Sequence, residues 1–373
     1  SSSPGAAYVF VRATGGSWVE QAKLTASDGV AGDYFGTAVS VWGDTAVIGA
    51  LGDDVWTGSA YVFTRDAAGA WTQREKLTAS DAAADSCFGR DVSIDGDTIA
   101  VGAIYDDHAA DDAGSAYVFV RVLGNIWNEQ AKLTASDAGA GDRFGCSVSL
   151  DADTIVVGAR GDDHGGGSYA GSAYVFTRDA LGTWTEQAKL TASDAAAGDY
   201  FGESVSAYGY TVVIGAMSDD HAGGAYAGSA YVFTRNAAGA WIEQAKLIGS
   251  DAAPSDFFGK AVLAYGNIAV VGAIGDDETA FESGAAYIFA RDGEGDWSEV
   301  TKLKASDAGE GDAFGCALSI DGDSLLVGAR ADSHPGGTQA GSAYVFTSPL
   351  FTIIFSDNFE SGGLSAWSGT VGE

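Results

Sequence analysis

The sequence predicts an all-β fold, a β-propeller of four-stranded antiparallel blades, on three observations. First, the phrase G-S/A-A-Y-V/I-F recurs seven times, at residues 5–10, 58–63, 114–119, 171–176, 228–233, 284–289 and 341–346. Second, the copies stand 53, 56, 57, 57, 56 and 57 residues apart, so one supersecondary unit is repeated almost end to end. Third, each unit contains four short Val/Ile/Tyr/Phe runs bounded by Gly/Asp turns and no helical periodicity, which is the pattern of strands in a closed radial array.

Within residues 88–133 the four strands read FGRDVSI, TIAVGA, GSAYVFVR and WNEQAKLTA. A tight D-G-D turn joins the first two. The tyrosine of A-Y-V-F to the next tryptophan is always 10 residues, tryptophan to the F of F-G always 17, and that glycine to the glycine of G-A always 13. Length varies only between G-A and A-Y-V-F, at 12, 15, 16, 16, 15 and 16. Three connections are therefore held by geometry, and the variable fourth is where binding residues are expected.

Strand one is expected to line the axis and strand four to form the outer edge. That edge carries one lysine per unit (Lys23, Lys76, Lys132, Lys189, Lys246, Lys302), and charge on an exposed edge discourages pairing with other chains. Tryptophans 18, 71, 127, 184, 241 and 297 open it; packing between blades is their plain reading, sugar stacking the sharper one. Arg12, Arg65, Arg121, Arg178, Arg235 and Arg291 end strand three and are read as partners for acids.

Composition narrows the function. Fifty-one acidic residues against 19 basic ones give a net charge of −32. That field repels nucleic acid and anionic membrane surfaces and favours cations or basic partners. No apolar run approaches 18 residues, so membrane insertion is not expected. The chain opens at Ser1-Ser2-Ser3-Pro4, as a processed or trimmed product would, with no signal peptide visible. Cys87, Cys146 and Cys316 sit beside the F-G of three units and are read as core thiols, with a Cys87–Cys146 bridge as the alternative.

The repeats resemble FG-GAP repeats, the unit of the integrin α-chain propeller. F-G occurs at 35–36, 88–89, 144–145, 201–202, 258–259 and 314–315, and G-A at 49–50, 102–103, 158–159, 215–216, 272–273 and 328–329. The resemblance spans about residues 5–346. It implies a seven-bladed propeller, usually extracellular, used for adhesion or ligand binding and often holding calcium. Two features depart from it. Proline never follows G-A, and the hairpin between strands one and two is only WGD, DGD, DAD, YGY, YGN or DGD, too short to wrap calcium. The family's metal site is therefore not carried over.

Strand three occurs seven times but strands one and two only six. Seven blades are favoured, six are allowed, and completion of the odd blade by another molecule would make a fibre by strand donation.

The connections from strand four to one and from two to three should share one face. The first supplies Asp28/Asp33, Asp137/Asp142, Asp194/Asp199, Asp251/Asp256 and Asp307/Asp312, with Asp81/Asp85 shifted by one. The second supplies Asp53-Asp54, Asp106-Asp107, Asp162-Asp163, Asp219-Asp220, Asp276-Asp277 and Asp332-Ser333; His108, His164, His221 and His334 follow it directly. Carboxylates crowded within a Debye length of about 10 Å repel unless offset. Turn chemistry is their plain reading. Calcium is the functional one, with candidate ligands Asp53, Asp54, Asp106, Asp107, His108, Asp162, Asp163, His164, Asp219, Asp220, His221, Asp276, Asp277, Asp33, Asp142, Asp199, Asp256 and Asp312. Zinc would find too few ligands on one loop.

No G-x-S-x-G elbow appears, and no loop stands out sharply from its siblings, so no enzyme is expected. The expectation is a secreted or cell-surface propeller (residues 1–347) with a non-catalytic role in adhesion or assembly. Its calcium-loaded acidic face would bind a protein or glycan ligand. Alternatives are a carbohydrate-binding lectin and a self-assembling fibre subunit. Residues 348–373 read as a C-terminal strand and a Gly/Ser-rich acidic tail or linker.

Overall fold

The computed structural model describes residues 3–123, 125–334 and 337–348; the expected strand at 351–355 and the tail beyond it lie outside them. The fold is an all-β propeller of antiparallel blades. Blade one runs in meander order through β3 (Phe35–Trp42), β4 (Thr45–Ala50), β5 (Ser59–Arg65) and β6 (Trp71–Leu77), each pairing with the next. Four further four-stranded sheets repeat that order, beginning at Phe88, Phe144, Phe201 and Phe258. A sixth, beginning at Phe314, has three strands among the described residues. The N-terminal strands β1 (Ala7–Arg12) and β2 (Trp18–Leu24) form a two-stranded sheet without inner strands of their own. Among the described residues there are thus six blades rather than the favoured seven, because only six copies of the inner pair are present to found one.

Two compact units partition the chain. The first comprises residues up to Asp163 with Ala173–Lys189, and holds β1–β2 and blades one to three. The second comprises His164–Ser172 and the chain from Leu190, and holds blades four to six.

The repeated glycines mark places where successive blades touch. Gly58, before β5, has φ +83° and bridges Phe88 of blade two; a Cβ there would lie 2.0 Å from the Phe88 carbonyl oxygen. Gly49 of G-A and Gly89 of the next F-G meet the same way, with a Cβ on Gly49 falling 2.1 Å from the Gly89 oxygen. No larger residue fits without moving backbone, which is why the dipeptides recur in phase.

Packing repeats as faithfully. The phenylalanine of F-G is buried and meets the strand-three tyrosine edge-on, as in Phe88–Tyr117 and Phe258–Tyr287 (ring centroids 5.5 and 5.3 Å apart). Strand two is almost wholly buried in every complete blade, for example Ile99, Ala100 and Val101 at 0% exposure. The tryptophans tie neighbours together: Trp71 Nε1 donates to Gln21 of the preceding sheet and Trp184 Nε1 to Gln130, both at 2.9 Å. Arg65, Arg121 and Arg178 bond Asp44, Asp97 and Asp153 as expected.

Candidate functional site

The acidic loops hold a regular device. In blade two the strand-four Lys132 Nζ sits 2.6 Å from Asp106 and 2.6 Å from Asp81, and Tyr117 donates its hydroxyl to Asp81 at 2.7 Å. Lys76 joins Asp53 and Asp28 in blade one, Lys189 joins Asp162 and Asp137 in blade three. Lys246 joins Asp219 and Asp194 in blade four, and Lys302 joins Asp276 and Asp251 in blade five. The first aspartate of each pair is buried, 3–6% exposed. These lysines are therefore not guards of a bare edge. They reach over the strand-three tyrosine to neutralise two loops at once.

The electrostatics follow. Burial alone would raise Asp194, but the Lys246 ammonium and the Tyr231 hydroxyl outweigh it and hold the carboxyl below its usual range. Burial would lower Lys246, and its hydrogen bonds to Asp194 and Asp219 reverse that. Asp142, Asp199 and Asp256 have no lysine of their own. Each accepts one backbone N–H three residues upstream, at 2.5–2.7 Å. Burial, then the neighbouring aspartate, pushes them up despite that bond, Asp256 to about 6. Asp33 and Asp312 make the same bond, at 2.6 Å each.

The remaining candidate ligands serve their own loops. Asp107, Asp220 and Asp277 accept backbone N–H groups five or six residues on. Asp54 and Asp163 are exposed, with Asp54 3.3 Å from Lys76. His164 and His221 each pair Nε2 with a carbonyl (Gly171, Gly228) and accept an N–H at Nδ1. His108 Nδ1 meets Ser115 Oγ. Among the described residues no group of three or more His, Cys, Asp and Glu side chains is placed to hold a metal ion. The residues do not fit a calcium site: a lysine occupies the position where a divalent cation would offset the acids.

Blade two departs from its siblings in the loop before Phe88, and a cavity of about 430 Å³ opens there, lined by Leu51, Trp56, Asp85, Cys87, Arg90, Ile104, Tyr105 and Arg160 of the first unit. Aligning the blades shows what is unusual. Blade two puts Ser86 where its siblings bury Asp33, Asp142, Asp199, Asp256 and Asp312. The acid has moved one place back to Asp85, which holds φ +66° where four siblings have glycine. Tyr105 stands where Gly52, Gly161 and Gly275 stand, positions at which a Cβ would come within 2.0–2.2 Å of a loop carbonyl. Tyr105 keeps the backbone bond of its siblings, donating its N–H to the Ser86 carbonyl at 3.2 Å as Ser218 and Ala331 do to theirs at 3.3 and 3.2 Å, and it lines the cavity.

The loop from blade one completes the wall. It is the shortest of its kind, and Asp54, Val55 and Trp56 follow one another at φ +49°, +61° and +64°. Left-handed non-glycine residues cost roughly 1–2 kcal/mol each, and such strain gathers at functional sites. Trp56 packs on Tyr34 with centroids 5.3 Å apart, and its carbonyl accepts the Cys87 N–H at 2.8 Å. Cys87 and Cys146 are free thiols in one small apolar cluster with Ile104, not a bridge; burial pushes the Cys87 thiol up to about 11, so it is no nucleophile.

The reading of repetition as evidence against catalysis missed this cavity. The shift of Asp85 was visible in the sequence, and the missed signal was the set of other departures (Tyr105, Arg90 and the short 51–57 loop) that share its neighbourhood.

Comparison with known proteins supports the correction. No curated protein matches the chain. A crystal structure of a Lactobacillus plantarum protein shares the fold with TM-score 0.58 and 13% identity, over 92% of this chain and 88% of that one. The Pseudomonas aeruginosa periplasmic gluconolactonase PpgL does so with TM-score 0.59 and 17% identity, over the same shares. At such identities the likeness is one of fold, and one bearer of the fold is by name an enzyme. The expectation of a non-catalytic adhesion or assembly propeller, with its lectin and fibre alternatives, is withdrawn, as is the exclusion of an enzyme. The repeat pattern itself matches at residues 18–63, 71–119, 127–176, 184–233, 241–289 and 297–346, so the chain belongs to the FG-GAP repeat family.

Proposed function

We propose that the chain is a hydrolase that opens small lactones or related esters in the blade-two cavity. The observation that carries the reading is the coincidence at one cavity of Asp85, Arg90 and Tyr105, none of which recurs at its position in another blade, with Arg160, whose position is arginine again only at Arg330. The gluconolactonase sharing the fold supports lactones as the first substrates to try.

The chemistry follows from the side chains. A guanidinium from Arg90 or Arg160 donates to the substrate carbonyl oxygen and stabilises the charge that develops there. Asp85 as carboxylate takes a proton from water while the water oxygen forms the new bond to the carbonyl carbon. Collapse of the tetrahedral species breaks the ring C–O bond, and the departing oxygen takes the proton from Asp85. One water is consumed, a hydroxy acid is released, and the carboxylate is regenerated. Trp56 and Tyr105 offer flat faces to a sugar-like ring.

The test is continuous measurement of acid release from glucono-δ-lactone and a panel of simple lactones and esters, against the uncatalysed rate. Acceleration by the protein, lost on Asp85→Asn, is expected. Background rates with every substrate would overturn the proposal. The place of action we propose is outside the cytoplasm, periplasmic or secreted; no described helix is long and apolar enough to cross a membrane, and the gluconolactonase is periplasmic by name.

A further inference from the structure

Resting on that reading of the cavity, we infer that its substrate carries a fixed anionic group, a carboxylate or phosphate, in addition to the reacting carbonyl. The argument begins with where this acidic chain keeps its arginines. It has eleven. Six end strand three at the repeated position, and Arg74 donates to Thr64. Four remain: Arg90, Arg143, Arg160 and Arg330. Arg90 and Arg160 line the cavity, and the Arg143 guanidinium lies 5.9 Å from the centre of the Tyr105 ring in the cavity wall. Three of these last four thus gather at one site, while Arg330 stands at the position of Arg160 in blade six.

Two of them lack the partner that a chain with 51 acids should readily provide. Among the described residues neither Arg90 nor Arg143 forms an ion pair, although the Arg90 charge is felt by Asp91 beside it. The Arg143 Nε is buried and has no hydrogen-bond partner. A buried N–H without an acceptor is costly, whereas every strand-three arginine of blades one to three has its aspartate. One donor group is enough for a developing oxyanion. The surplus positive charge is placed for a group that is anionic from the start, and guanidinium forks suit carboxylate and phosphate oxygens. It also answers the field of the molecule: with a net charge of −32 an anion approaches only where the local sign is inverted.

Binding tests this independently of turnover. Glucarate and a sugar phosphate, titrated against the intact chain by calorimetry at low salt, should bind, and the neutral polyol glucitol should not. Arg143→Gln and Arg90→Gln should each weaken the anions by roughly tenfold or more, and raising salt should weaken them further. The stronger of the two anions identifies the group. Equal binding of glucarate and glucitol, no binding of either anion, or anion binding indifferent to both substitutions in protein with an unchanged melting temperature would overturn the inference. Anion binding without opening of any lactone would leave the inference standing and remove the hydrolase.

Discussion

Blades two and four are built from the same unit and differ in what they do with one aspartate. Blade four buries Asp199 beneath its loop and ties Asp194 and Asp219 to Lys246. Blade two keeps the lysine device, Lys132 with Asp81 and Asp106, but turns the second acid outward as Asp85, beside Arg90 and Tyr105. The difference separates two kinds of carboxylate in one chain. Those that keep their repeated positions, whether tied to a lysine like Asp194 and Asp219 or to a backbone N–H like Asp199, hold loops; the one that left its position faces a cavity.

The largest effect that would break this comparison is kinetic. Asp85→Asn should cut lactone opening by roughly 10²- to 10⁴-fold, whereas Asp199→Asn in blade four should leave the rate unaltered, both read in the same acid-release assay.

Next comes stability. Removing the ammonium with Lys246→Met strands two carboxylates, one of them buried, and should cost about 3 kcal/mol in denaturant unfolding. A loss below about 0.5 kcal/mol would show that the acids do not need it. The same picture expects chelator and excess calcium to leave the thermal unfolding curve in place, since a lysine holds that position in blades one to five.

The smallest effect concerns pH. Asp256, pushed up to about 6, is more readily protonated in the folded chain than in the unfolded one. Its contribution is therefore present at low pH and lost as pH rises from the ordinary carboxylate range through 6. Asp256→Asn should flatten that part of the stability profile. Asp194, held low, acts in the opposite sense, its contribution present above the ordinary range and lost on acidification.

Much of the fold was legible because it is dictated locally. F-G and G-A mark glycines at which neighbouring blades approach within contact, as Gly49 does with Gly89, and the strand runs follow from alternation and turn residues. Blade number was less legible: the surplus copy of strand three at residues 5–10 suggested a seventh blade, and in the structure its strand β1 pairs with β2 while Gly5 bridges Phe35 of blade one. The lysine clusters escaped reading because Lys76, Asp53 and Asp28 lie 23 and 48 residues apart and meet only through folding. On an edge strand a lysine suggests solvent, and its reach across the tyrosine has no sequence signature. The site was half legible: the displaced Asp85 stood in view, but its meaning depended on Tyr105 and Arg160, which approach it from two other loops.

The most direct measurement of the central claim is Asp85→Gly, which gives blade two the residue that four siblings carry. The account predicts lactone opening reduced to the uncatalysed rate together with equal or slightly higher stability, by up to about 1 kcal/mol, since glycine relieves the +66° backbone. An Asp85→Gly protein that opens lactones as fast as the parent would contradict it.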